Sequence, residues 1–178
     1  QEKDAKQKNE RKRALESNIN RVINNGCNRE SNKEVLALAN TYNNMYIALG
    51  IHPESADTYQ KEDLTFIEEN LSNPKVIAIG EIGLDYHYTK ENKTLQIKLL
   101  ESQLKIAETH NLPVIIHSRE ATEDTINTLK KYHVKGVIHS FSGSRNPHRK
   151  KTHPNRRTVP AFWPRFCRRQ WNRCPIQC

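Results

Sequence analysis

Three short apolar runs in this chain each end on a side chain that can ligate a metal. They are Val76-Ile77-Ala78-Ile79-Gly80-Glu81, Leu112-Pro113-Val114-Ile115-Ile116-His117 and Gly136-Val137-Ile138-His139. One carboxylate and two imidazoles make a mixed oxygen and nitrogen donor set suited to a divalent cation. Open α/β folds gather their chemistry where parallel strands finish. Glu81, His117 and His139, delivered from three successive strand ends, can therefore converge on one ion, and the chemistry they suggest is metal-dependent hydrolysis. His52, in Gly50-Ile51-His52-Pro53, ends the preceding strand and completes a row of polar strand ends.

The neighbours of these residues are readable too. In Gly80-Glu81-Ile82-Gly83-Leu84-Asp85-Tyr86-His87 the glycines let the backbone turn tightly and approach a ligand. Taken alone, Glu81 reads equally well as a solvated loop carboxylate, and Asp85 reads as a cap or turn residue. A single strand-end histidine such as His117 is more often structural. The metal reading gains because His139 holds the same relative position one βα unit later. Arg119 offers a bidentate contact to a phosphate or an ion pair with Glu120 or Glu123, and the two readings stand level. His87, His110 and His133 fall beyond a turn or on helices and read as surface residues.

The elements that must position these groups follow from the hydrophobic pattern. Strand-like stretches recur at about 20–25, 45–50, 76–81, 112–117 and 136–140. Between them lie amphipathic helices. Ser31 or Asn32 is expected to cap one carrying Val35, Leu36, Leu38 and Ala39. Asp57 or Thr58 is expected to cap another, with Leu64, Ile67 and Leu71 inward. Thr94 opens the longest, with Leu95, Leu99 or Leu100, Leu104 and Ala107 on one stripe. A last helix covers about 121–131, with Ile126 and Leu129 inward, and a polar helical pattern covers roughly the first 18 residues. Apolar strands alternating with single helices predict a parallel sheet covered on both faces, either a doubly wound sheet or part of a (β/α) barrel. Five strands are too few to close an eight-stranded barrel.

Composition divides the chain. Of its 178 residues, 29 are Lys or Arg and 20 are Asp or Glu, giving a formal net charge of +9. Ten of those basic residues, and no acidic one, lie within 144–178, so the rest is nearly balanced. Both tryptophans, Cys167, Cys174, Cys178 and five of the eight prolines share that stretch. We expect two parts: a folded α/β domain over 1–143, and a basic, disordered tail over 144–178. A non-enzymatic alternative rests on this tail, whose charges would neutralise nucleic-acid phosphates while Phe162, Trp163, Phe166 and Trp171 stack on bases. No apolar run approaches transmembrane length, so no membrane partner is expected. A charged N-terminus without an apolar signal core, and Cys27 as the one cysteine before the tail, fit a reducing cytoplasmic location, or a nuclear one in a eukaryote.

Taken together the motifs resemble the TatD family of metal-dependent hydrolases and DNases. The matching residues are Gly50-Ile51-His52-Pro53, Ala78 through Tyr86, Gln96 and Gln103, Leu112 through Arg119, and His139-Ser140-Phe141-Ser142-Gly143. The likeness covers roughly residues 15–143. It implies a TIM barrel of the amidohydrolase type, here partial; a centre of divalent ions (Mg, Mn or Zn); and hydrolysis of phosphodiester bonds in DNA. It further implies that Glu81 is a shared metal ligand, that His117 and His139 bind the second metal, and that His52 and Arg119 line the substrate side. Two family features have no counterpart. No His-x-His occurs in the chain, and no acidic residue follows Asp124. The expectation is an incomplete representative of doubtful activity, with a break at Ser144 of the kind a shifted reading frame or misjoined exon produces. The nucleotide sequence tests that expectation.

Overall fold

The sheet follows the order in which the chain supplies its strands. In the structure, a computed structural model, residues 21–87, 91–139 and the backbone of 176–177 are described. Strands β1 (Val22–Asn25), β2 (Met45–Leu49), β3 (Val76–Asp85), β4 (Val114–Arg119) and β5 (Gly136–Ile138) lie side by side in sequence order. A two-residue strand, β6 (Ile176–Gln177), pairs with the outer side of β1. Every pairing is parallel. A doubly wound sheet reverses its strand order partway, and β1 to β5 do not. This is the sequential winding of a partial (β/α) barrel.

Helices α1 (Arg29–Thr41), α2 (Lys61–Asn70), α3 (Lys93–Thr109) and α4 (Thr122–Leu129) join the strands, with one 3₁₀ turn at Pro53–Ser55. The main core forms between the helices and one face of the sheet. Val35, Ala39, Ile67, Leu99, Leu100, Leu104 and Leu129 meet Ile47, Leu49, Ile79, Ile82, Leu84, Val114 and Ile116 there. Each fully buried aliphatic side chain contributes roughly 1.5–3 kcal/mol. The opposite face carries a smaller cluster made only of strand residues: Ile23, Ala48, Ala78 and Ile115. Cover by helices on both faces, expected from the apolar strands, is thus not found among the described residues. The second face is the concave side, and it carries the polar strand ends.

Local details depart from the sequence reading. Asn28 caps α1, its Oδ1 accepting from the Ser31 amide at 2.9 Å, so Ser31 serves from inside the first turn and Asn32 is buried further in. Helix α2 begins after Gln60, whose amide donates to Asp63 at 2.9 Å, and Asp57 and Thr58 stay in the loop before it. Leu95 is 45% exposed and leaves the α3 stripe, because buried Gln96 takes the inward position. Strand β3 runs on to Asp85 and β4 to Arg119, so Glu81 and His117 lie within strands. The N-terminal helical pattern and the tail, apart from 176–177, fall outside the described residues.

Candidate metal centre

Strand alternation selects which side chains share the concave face. On β3, Ile82 and Leu84 point into the helix-side core, which sends Glu81, Gly83 and Asp85 the other way. On β4, Ile115 belongs to the concave cluster, and His117 and Arg119 follow it on the same face. The register places His117 opposite Gly83 and Arg119 opposite Asp85. Gly83 has φ +152°, and a Cβ there would run into the His117 carbonyl oxygen, so the close approach of β3 to the β4 backbone requires glycine.

His117 is consequently held between two buried carboxylates. Its Nδ1 lies 3.3 Å from Glu81 Oε1 and its Nε2 lies 2.8 Å from Asp85 Oδ2. Glu81 and Asp85 are each 1% exposed. Burial pulls the imidazole toward its neutral form, yet the hydrogen bonds and charges of the two carboxylates outweigh it and raise the His117 pKa. Burial likewise opposes ionisation of Asp85. Its bonds to His117 and to the His87 amide prevail, helped by the charges of His117 and Arg119, and its pKa is lowered.

His52 reaches the same place from β2. Its ring centroid lies 4.5 Å from that of His117, with the planes tilted by 59°. Burial and the nearby charge of His117 lower the His52 pKa. His52, Glu81 and His117 can each present one ligand atom such that all three lie within 4.8 Å of one another. Ligands about 2.0–2.2 Å from one ion lie no more than about 4.4 Å apart, so a small side-chain adjustment closes the set. Among the described residues this is the group with metal-binding geometry.

Three buried amides fix the backbone that carries these residues. Asn32 donates to the Gly50 carbonyl at 2.9 Å and accepts from the Gly50 amide at 3.1 Å. Gln103 accepts from the Ile51 amide at 2.7 Å and donates to its carbonyl at 3.0 Å. Gln96 does the same for Asp85, at 2.8 Å in both directions. Each amide supplies the bonds that a neighbouring strand would supply. His52 then starts from a fixed point, and its own amide donates to the Cys27 carbonyl at 2.8 Å.

The other expected residues sit around this centre. His139 lies one residue beyond β5, half-buried, its amide extending the ladder to the Ile116 carbonyl at 2.8 Å. It is not among the three residues whose ligand atoms cluster. Arg119 is exposed at the end of β4. His87, His110 and His133 are exposed as expected, and His87 Nδ1 contacts Glu120 Oε1 at 2.8 Å. Asp85 does close a turn, its Oδ1 accepting from the His87 amide at 2.8 Å, but its other oxygen belongs to the site. The sequence reading missed that second role. The signal was present: Glu81, Gly83 and Asp85 alternate, as residues on one face of a strand do.

The family described as TatD related DNase matches residues 1–156. This chain belongs to the TatD family. The TatD match extends past Gly143, where the motif pattern stops. The chain is 38% identical over 135 residues to the uncharacterized metal-dependent hydrolase YabD of Bacillus subtilis, covering 74% of this chain and 53% of that protein. It is 36% identical over 149 residues to the deoxyribonuclease Tat-D of Schizosaccharomyces pombe, covering 74% and 47%. The crystal structure of the TatD homologue YjjV from Escherichia coli superposes with a TM-score of 0.72 at 36% identity, covering 75% of this chain and 53% of that one. A TatD family hydrolase from Entamoeba histolytica gives 0.63 at 28% identity, covering 75% and 49%. The chain therefore spans about half the length of the relatives it matches.

Proposed function

We propose that this chain carries part of the active centre of a metal-dependent hydrolase that cleaves phosphodiester bonds in nucleic acid. The observation that supports the reading best is the meeting of His52, Glu81 and His117 at one end of a parallel sheet. Two imidazoles and a buried carboxylate are a fitting donor set for Zn²⁺ or Mn²⁺. His52, Glu81 and His117 would hold the ion, and His139, on the next strand end of the same face, is the further ligand proposed from sequence. A divalent cation in such a place supplies Lewis acidity and a water of lowered pKa. Asp85 orients the His117 ring through Nε2. Arg119 is exposed where β4 ends, and a guanidinium there can meet a phosphate of the substrate.

The substrate class follows from relatives named as nucleases, among them a 3'-5' ssDNA/RNA exonuclease TatD of Escherichia coli, 30% identical over 135 residues. No described helix is long and apolar enough to cross a membrane. A cytoplasmic site of action is proposed from the sequence. Binding of nucleic acid by the basic tail alone is the less favoured reading, because the relatives are hydrolases and the polar cluster lies in the sheet. The test is hydrolysis of single- and double-stranded DNA by the full chain with added Mn²⁺ or Mg²⁺, beside a Glu81→Gln variant. Metal-dependent cleavage lost in the variant supports the proposal. Equal cleavage by both proteins excludes Glu81 from the chemistry.

A further inference from the structure

Asn25 ends β1 on the concave face, two residues along from Ile23 and opposite Ala48, both in the apolar cluster there. Asn25 is 2% exposed, and both side-chain amide atoms, Oδ1 and Nδ2, have no hydrogen-bond partner. They are the buried side-chain polar atoms among the described residues with none. Leaving such a group unpaired destabilises the fold. An apolar residue of similar size would avoid that cost, as Ile23, Ala48, Ala78 and Ile115 do beside it. The position is also close to the candidate centre. The next residue, Gly26, accepts a hydrogen bond from the Glu81 amide at 3.1 Å, so β1 ends against the segment that presents the carboxylate. A buried amide without a partner, beside a cluster of ligating side chains, points to a bound group that uses it.

We propose that the orphaned Asn25 carboxamide, at the end of the strand that contacts the Glu81 backbone, is a component of the metal centre that holds a water bound to the cation. The inference rests on the proposed metal site at His52, Glu81 and His117 and adds to it a neutral oxygen and an N–H donor from β1. Hard divalent ions commonly keep water ligands, and the groups that hold those waters shape affinity. No reading of the sequence singled out Asn25, because an asparagine next to a glycine resembles an ordinary turn.

The experiment is calorimetric titration of the metal-free full chain with Mn²⁺, comparing wild type, Asn25→Leu, Asn25→Asp and Glu81→Gln, with thermal unfolding of each metal-free protein. Asn25→Leu should unfold at the wild-type temperature or above it, since leucine removes the unpaired atoms. Asn25→Leu should bind Mn²⁺ about ten-fold more weakly. Asn25→Asp should bind as tightly as wild type or more so. If Asn25→Leu binds within about two-fold of wild type while Glu81→Gln does not bind, the role of Asn25 is overturned and the metal site stands. A fall in metal-free stability with unchanged affinity assigns Asn25 to an interior contact and also overturns it. Should Asn25→Leu not fold, weakened binding by a folded Asn25→Asp overturns the proposal. Wild type that takes up no Mn²⁺ overturns the metal site and, with it, this inference.

Discussion

The side-chain amide of Gln96 pairs with both backbone groups of Asp85, accepting from its N–H and donating to its carbonyl, each at 2.8 Å. Gln96 is fully buried on α3, so the helix behaves at this point as a substitute strand beside the end of β3. Replacing Gln96 with Leu strands two buried backbone groups. We expect about 2–4 kcal/mol of lost stability in urea unfolding, together with weaker metal uptake because Asp85 no longer holds His117 in place. Gln96→Glu keeps the acceptor for the Asp85 amide and, when protonated, a donor for its carbonyl, so at acidic pH it should lose less stability than Gln96→Leu. Equal losses in the two variants would show that helix packing, not the paired bonds, sets the effect.

The pair between His117 and Asp85 makes metal-free stability depend on pH from both sides. The His117 pKa is raised in the fold, so its contribution is complete below the unfolded histidine value and fades as pH rises through the folded value. The Asp85 pKa is lowered, so its contribution is present above the unfolded carboxylate value and fades as pH falls through the folded one. Stability of the metal-free chain should therefore pass through a maximum between these limits. Asp85→Asn should flatten both flanks and lower the His117 pKa, read from imidazole NMR titration. A profile unchanged by the variant contradicts the pairing.

Gly83→Ala should be among the most damaging single substitutions. The added Cβ would run into the His117 carbonyl oxygen on a backbone with φ +152°. Strain and clash together are expected to cost more than about 3 kcal/mol. Thermal unfolding by circular dichroism measures it, and a midpoint within a few degrees of wild type would mean that β3 and β4 separate easily there.

Arg119 is exposed opposite Asp85, on the concave face, and its proposed partner is a phosphate. Arg119→Ala should raise KM for DNA several-fold with a smaller change in kcat, and should weaken the salt dependence of binding by about one phosphate contact. Arg119→Lys should recover only part of the KM, since a lysine loses the bidentate geometry. A loss confined to kcat argues instead that Arg119 acts through the charge it places near Asp85.

Much of this arrangement was visible in the chain. The apolar runs before Glu81, His117 and His139 marked three strands and their order, because buried parallel strands leave little room for polar residues. Strand ends were less legible. Glu81 looked like the close of β3, whereas the ladder runs on through Gly83 to Asp85, since a glycine with unusual backbone angles resembles a turn in sequence. Asp85 was therefore read only as the turn residue that it also is. The clustering of His52 with Glu81 and His117 depends on the 3₁₀ turn after β2 and on the grip of Asn32 and Gln103 on Gly50 and Ile51. These are contacts between residues far apart in sequence, and spacing does not encode them.

The most direct measurement is a Zn²⁺ titration of the full chain followed through the histidine side-chain nitrogens by NMR. His52 and His117 should shift together, saturate at the same metal ratio, release protons as they bind, and fail to respond in Glu81→Gln. Independent movement of the two rings, or an unchanged response without the Glu81 carboxylate, would contradict a shared metal site.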